Sequence, residues 1–593
     1  MPPKKANTSA AKSAAKPAAT RAKRAATPKP AILPNTKKPV AAKKSTVASK
    51  ASKPAASKPA AKARSATPKP AAAPKAAKST STKRKASEED VEEPKSKKAK
   101  TAVEPKKAAA KAAPKPPVKK ARAKSVTKKA ATEEPDEKPA KAAVKPAAAK
   151  PKKQLPTLNT PPTQRLDIYV FGENSAGELG LGARGSNGRK VTDVARPRLN
   201  DKLSAKDVGV VQIAVGGMHC AALTHDNKIL TWGVNDQAAL GRETSDEGKM
   251  VTLDAGEAEN EDSDSDSDDD SGLNPSEAEP REVDPKYFPE GTKFVSVHAG
   301  DSATFALTTV GTVYGWGTFR GNDGILGFRT DVHIAHFPML IPELKNITSM
   351  AIGSNHVLAL NNKGRVFAWG AGEQNQLARR VVSRTATGAL IPREFGLQRK
   401  TIVHIGTGAY HSFAVDNKGN VMAWGLNTFG QTGVPKDDDE DDTVATPTLV
   451  ESLSDYSVQQ ITGGAHHSMA CTKDGKALIW GRADGGQTGL DISSLPTETL
   501  YYDEYNKPRY LVKPTAIPNV NCSYVAAGSD TCVILGDDGK AYSWGFSTNY
   551  QTGLGTDEDV KTVQHVDNTA VREKKLVFAG VGGQFGVLAG VAA

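Results

Sequence analysis

KILTWG at 228–233, TVYGWG at 312–317, RVFAWG at 365–370, NVMAWG at 420–425, KALIWG at 476–481 and KAYSWG at 540–545 are one phrase written six times, and IYVFG at 168–172 is its seventh variant. The six WG pairs use all six tryptophans of the 593-residue chain. Each closes a short β-branched or aromatic run and is followed by a Gly-rich turn, a pattern that predicts a strand ending in a tight bend. A second signature precedes most of these pairs: GGMH at 216–219, GDSA at 300–303, GSNH at 353–356, GAYH at 408–411, GGAH at 463–466 and GSDT at 528–531. A last copy, GGQF at 582–585, has no WG behind it, and FG at 171–172 has no such unit before it. The two orphan halves complete one repeat.

Sheets arranged radially leave two free edges where the chain starts and stops, and one blade built from both ends pairs them. The sequence therefore predicts an all-β, seven-bladed β-propeller. Its closing blade joins the strand around Ile168–Phe171 to strands around Val577–Leu588. Successive aromatic-glycine pairs lie 61, 84, 53, 55, 56 and 64 residues apart, longer than the roughly 40–45 residues of the commonest propeller repeat. The surplus belongs in loops, and the tryptophans are expected to wedge between blades.

Composition divides the chain into two objects. Residues 1–153 hold 43 Lys and Arg against 10 Asp and Glu and no aromatic residue, whereas the remainder holds 38 basic and 55 acidic residues. The formal charge of +16 averages the two. The first predicted region, 1–160, is a Lys/Ala/Pro-rich tail too poor in large apolar groups to offset chain entropy by burial, and it is expected to be disordered. Such a tail, similar to that of a linker histone, neutralises DNA phosphates without reading bases, so its binding falls steeply with salt. Within it, Lys83, Arg84 and Lys85 are separated by an acidic spacer from Lys95, Lys97, Lys98 and Lys100, which fits a bipartite nuclear import signal and its import receptor. The start lacks an apolar leader and no run of 18 apolar residues occurs, so neither secretion nor a membrane span is expected. Cys220, Cys471, Cys522 and Cys532 lack metal-ligand spacing and read as reduced core residues.

The second region, 161–593, is the propeller, interrupted by an acidic insertion expected to be disordered over 242–290. It contains EAENEDSDSDSDDDSG at 257–272, which lacks the turn glycine and closing Glu of a calcium loop. Its serines sit among acids, as phosphorylation sites do. The stretch ARRVVSRTATGALIPREFGLQRK at 378–400 puts six basic residues on one loop of an acidic body, inviting an acidic partner.

No motif for covalent chemistry occurs: there is no phosphate-binding G-x-x-x-x-G-K-[ST], no G-x-S-x-G elbow and no metal-ligand cluster, so no metal, no cofactor and no enzyme of that kind is expected. His219, His356, His411 and His466 hold one repeat position, which converges with Asp301 near one face or the central channel. Each histidine either serves that face or bonds the neighbouring blade.

These residues carry a resemblance. The paired repeat, with AGDSATFAL at 299–307, WGTFRGNDGILG at 316–327 and STNYQTGLGTDED at 547–559, is similar to the regulator of chromosome condensation family, guanine-nucleotide exchange factors for the small GTPase Ran. The resemblance covers about 164–590. It implies a Ran-binding face carrying Asp301, Asn355, His356, Arg379, His411, His466 and Asp559. It also implies a wedge hairpin at Arg320, Gly321, Asn322, Asp323 and Gly324 that presses on the nucleotide-binding region. It further implies docking of Arg379, Arg380 and Arg384 on the histone acidic patch of the nucleosome, a tail on DNA, and residence on chromatin in the nucleus. Asn355 stands where the animal pattern has Asp, and Ala303 and Phe585 stand where it has His. The competing reading is a chromatin-binding propeller scaffold without exchange activity.

Overall fold

A computed structural model describes residues 156–184, 191–245, 273–397, 399–436 and 442–592. The basic tail to residue 155 and the import cluster lie outside these residues, as does the acidic stretch 246–272. Strands Val210–Val215, His219–Thr224, Ile229–Gly233 and Arg281–Glu282 form the first antiparallel blade. Five further blades follow over 294–340, 347–394, 402–449, 458–516 and 522–565, making six, of which the fifth, over 458–516, is enlarged to five strands. The seventh takes Leu576–Val581 and Phe585–Val591 from the end of the chain and Leu166–Gly172 and Val194–Leu199 from its beginning. Leu166 pairs with Val591 and Gly172 with Phe585, a seven-residue seam without a bulge. The fold is thus the predicted seven-bladed propeller, and the shared blade closes it.

The two sequence signatures are cross-strand partners. His219 pairs with Gly233, Ala303 with Gly317, His356 with Gly370, His411 with Gly425, His467 with Gly481, Thr531 with Gly545 and Phe585 with Gly172. Each of these glycines has φ between +92° and +109°. A Cβ on Gly233 would lie 2.5 Å from the Met218 carbonyl oxygen, and one on Gly317 would lie 2.2 Å from that of Ser302. Only glycine fits a left-handed bend against a backbone that close. The tryptophans before them are 0–1% exposed and fill the space between blades. Trp232 Nε1 donates to the Glu178 carbonyl of the preceding blade at 3.0 Å, and Trp316, Trp424, Trp480 and Trp544 make the equivalent bond at 2.8–2.9 Å.

Two predicted boundaries shift. Leu158 donates its N–H to the Thr309 carbonyl at 2.7 Å and Asn159 Nδ2 reaches the Ile347 carbonyl at 2.9 Å, so the chain is tied to the propeller from 158 onward. Part of the span predicted as the insertion, 242–290, is built into the first blade. Arg242 is buried and donates to Thr231 Oγ1 and O, Pro275–Ala278 is a short helix, and Arg281–Glu282 is the outer strand of the first blade. Its charged residues disguised an edge strand, which is solvated on its outer side.

Candidate partner-docking face

The turn after each innermost strand opens on one end of the central channel. Its backbone amides link the blades: Gly217 donates to Gly300, Asp301 to Ser354, Ser354 to Ala409, Ala409 to Gly464, Ala465 to Ser529 and Gly583 to Gly217, all at 2.8–3.3 Å. These turns and their strands line a 790 Å³ channel whose charged lining includes Asp236, Asp301 and Arg320.

The fourth position of each G-x-x-H unit points away from this channel mouth. His219, His356, His411 and His467 are 0–1% exposed, and their Nε2 atoms lie 2.7 Å from Thr304 Oγ1, 2.8 Å from Ser412 Oγ, 2.7 Å from Ser468 Oγ and 3.0 Å from Cys532 Sγ of the next blade. Those hydroxyls and the thiol donate onward to the carbonyls of Ala239, Gln376, Gln431 and Gln487, the same carbonyls that accept from tryptophan. With the hydroxyl hydrogens committed, each His Nε2 must be the donor, which fixes the neutral tautomer. Burial lowers His219 and His467 to about 4 and His356 to about 3, and it lowers His411 well below the usual range.

This corrects two expectations. His356 and His411 are inter-blade struts without surface, so neither is a face residue. In the fifth repeat the strut is His467 rather than His466, because Gly464, not Gly463, donates to the His467 carbonyl and starts the turn. His466 therefore belongs one position earlier, beside Met218, Ser302, Asn355, Tyr410, Asp530 and Gln584. That position reaches the surface.

Asp301, Asn355 and Arg320 come together there. Asn355 Nδ2 donates to Asp301 Oδ2 at 3.2 Å while its Oδ1 accepts the Arg320 backbone N–H at 2.8 Å. Asp301 is exposed, but the channel walls crowd it, and desolvation raises its pKa against the opposing pull of Ser354, Arg320 and Asn355. A carboxylate whose charge is poorly solvated gains more from a cationic partner group than one in open water.

Phe319–Gly321 and Gly324–Gly327 form a hairpin around Asn322 and Asp323, with Gly321 opposite Gly324. Phe319 roots it in the core, in a cluster with Phe305 and Phe328 whose ring centroids are all 6.1 Å apart. Gly321 sits so close to Glu373 that a Cβ would lie 2.3 Å from Oε1. The hairpin is thus a projection with a buried root beside Asp301.

Across the channel, His466 meets Phe429 edge to face at 5.1 Å, and the guanidinium groups of Arg482 and Arg509 lie 5.3 and 5.7 Å from the same ring. Arg482 Nε donates to Asp484 at 2.6 Å, and Gln487 Nε2 donates to Asp530 at 2.8 Å. Burial lowers the His466 pKa, helped by Arg482 and opposed by Asp530 and Asp484. Sequence reading missed Phe429, Arg482, Arg509 and Asp530. The signal was present in WGR at 480–482, where a cation follows the bend.

Arg379 turns inward. It donates to the carbonyls of Ala368 at 2.8 Å and Ala389 at 3.0 Å, and burial brings its pKa down to about 10. It repeats the part of Arg242 in the first blade, and with its guanidinium committed to carbonyls it is half-buried rather than free on the surface. Arg380 and Arg384 are exposed on the 378–400 loop, and Asp559 is exposed while accepting the Ser547 N–H at 3.3 Å. Among the described residues no three His, Cys, Asp or Glu side chains converge on a possible metal site, and no helix is long and apolar enough to cross a membrane.

A closed propeller whose one face gathers an anchored hairpin, a desolvated carboxylate and a histidine packed against Phe429 presents a surface suited to docking a partner. Residues 167–588 match the family model of the RCC1-like domain, and the chain belongs to that family. It is 42% identical to protein pim1 of Schizosaccharomyces pombe over 439 residues, 72% of this chain and 75% of that one. It is 39% identical to the guanine nucleotide exchange factor SRM1 of Saccharomyces cerevisiae, covering 72% and 88%. The crystal structure of Prp20p from S. cerevisiae, described with its binding properties to Gsp1p and histones, superimposes with a TM-score of 0.64 at 37% identity, covering 72% of this chain and 92% of that one.

Proposed function

We propose that this chain is a guanine-nucleotide exchange factor for the small GTPase Ran, held on chromatin in the nucleus. The observation that carries the reading is the hairpin Phe319–Gly327, rooted by Phe319 and latched through Asn355 to Asp301 on the open end of the channel. A chain of this family needs no covalent chemistry to release a nucleotide. It binds the nucleotide-free GTPase more tightly than the loaded form, and linkage requires that it weaken nucleotide affinity by the same factor. Asp301, Asn355, His466 and Asp559 hold the GTPase on this reading, and Arg320, Gly321, Asn322, Asp323 and Gly324 intrude on its phosphate contacts.

Chromatin tethering rests on separate parts. The tail, net +33 over 1–153, supplies counterion-releasing contacts to DNA. Arg380 and Arg384, with free surface on their loop, serve the histone acidic patch, and the clusters at 83–85 and 95–100 serve an import receptor. The test is release of fluorescent GDP from Ran by catalytic amounts of the full chain. Acceleration that Asp301→Ala abolishes supports exchange. No acceleration, with binding to Ran or nucleosomes retained, would move the assignment to a chromatin-bound scaffold.

A further inference from the structure

Among the described residues the fifth blade alone carries a fifth strand. Leu500–Tyr502 pairs with the start of Pro508–Ala516, and the turn between them rises past Arg482, on the same end of the propeller as the wedge hairpin. The tip is preorganised. Asp503 exchanges backbone bonds with Asn506 and Lys507, and its Oδ1 accepts the N–H groups of Tyr505 at 3.0 Å and Lys507 at 2.9 Å. Tyr505 stands at this tip 74% exposed, the most exposed large apolar side chain among the described residues.

Below the tip the hairpin is locked to the docking face. Tyr501 stacks on Tyr510 at 4.8 Å and 14°. Arg509 accepts the Ala483 N–H through its carbonyl at 2.9 Å, while its guanidinium covers Phe429, the ring that supports His466. An unbroken series of contacts therefore runs from the channel mouth to Tyr505. The wedge rises from the second blade and this hairpin from the fifth, three of seven steps around the ring or about 154°. A globular partner seated over the channel mouth meets both.

From this arrangement we infer that the hairpin Leu500–Leu511 is a second grip on the GTPase, with Tyr505 and Tyr501 as its contact residues, opposing the wedge across the channel. The inference rests on the exchange-factor reading. Rigid tyrosines bury large amphipathic area at low entropic cost and serve as interface anchors. The division of labour follows from position: the wedge displaces nucleotide, and the tyrosine hairpin holds the body against that push. Loss of the grip removes binding common to the loaded and nucleotide-free complexes, which raises KM more than it lowers kcat.

The experiment measures exchange on GDP-loaded Ran with the full chain, Tyr505→Ala, the Tyr501→Ala/Tyr505→Ala double variant and Tyr505→Phe. KM is expected to rise about tenfold in the double variant, with the saturated rate within about twofold of the parent, and Tyr505→Phe is expected to restore most of the loss. A photoreactive phenylalanine analogue at 505 is expected to crosslink to Ran. Unchanged KM with no crosslink, while the parent chain remains active, would overturn the grip and leave the exchange reading standing. Weakened nucleosome binding in place of the KM change would assign the hairpin to chromatin and equally overturn it. A parent chain without exchange activity would overturn both readings.

Discussion

The third and fourth positions of each G-x-x-H unit are neighbours in sequence and opposites in environment. Asn355, Tyr410 and His466 reach the open end of the channel, whereas His356, His411 and His467 are 0% exposed and bonded to the next blade. Successive residues at the start of a strand face opposite ways, so one residue separates a group that can meet a partner from one that never leaves the core. The fifth repeat, GGAHH at 463–467, contains both kinds of histidine in succession. The same contrast recurs at Arg379, clamped on carbonyls, and Arg380, in solvent.

The sharpest way to break this comparison is the histidine pair itself. His467→Ala removes a buried ring and a buried hydrogen bond and is expected to destabilise the propeller by about 3 kcal/mol in chemical denaturation. His466→Ala is expected to stay within about 1 kcal/mol of the parent and to slow exchange instead. The reverse pattern would restore the sequence-based alignment. Next in size is Asp301→Asn. Its carboxylate pKa is raised in the fold, so the charged form is carried at a cost at neutral pH, and removing the charge is expected to leave the denaturation midpoint equal or higher while exchange falls by at least tenfold. A lower midpoint would show that Asp301 acts as a strut.

The pH dependence separates the rows further. The struts His219, His356 and His467 have folded-state pKa values near 3 to 4, below the unfolded value of about 6.5. The unfolded chain thus binds more protons between these limits, and stability is expected to fall as pH drops from about 6.5 toward 4 and to be flat above 7. His356→Phe, which copies Phe585 of the seventh repeat, is expected to reduce the slope of the midpoint against pH, and an unchanged slope would remove His356 from the titrating set. The smallest effect belongs to the arginines. Arg380→Ala is expected to weaken nucleosome binding severalfold without altering the melting temperature, and Arg379→Ala to lower the melting temperature by a few degrees through its two orphaned carbonyls.

The fold was legible because its determinants are local and repeated: a bend that only glycine tolerates and a ring that fills the wedge between blades recur in register. Even the closure could be read, from one orphan at each end. The wedge was legible only through the family resemblance of FRGNDG at 319–324, and the structure then places Gly321 and Gly324 on either side of a two-residue turn. The split between strut and face histidine was not legible, because two glycines and two histidines at 463–467 admit two registers, and only the Gly464 amide bond selects one. The Phe429 cage was invisible for a different reason. Phe429, His466, Arg482 and Arg509 come from four separate segments of two blades, and no spacing along the chain announces such a convergence. Arg281–Glu282 escaped because two charged residues at an edge carry no alternation of apolar and polar side chains.

The seam between Leu166–Gly172 and Phe585–Val591 has a temporal consequence. As the ribosome delivers the chain, the strand at 166–172 emerges more than 400 residues before its partner at 585–591, so six blades can assemble while this strand, paired only with Val194–Leu199, waits with its other edge open. A premature stop that removed only the last dozen residues would spare every WG bend yet leave an open ring with two sticky edges, and such a product is a substrate for chaperones and proteases rather than a shortened version of the protein.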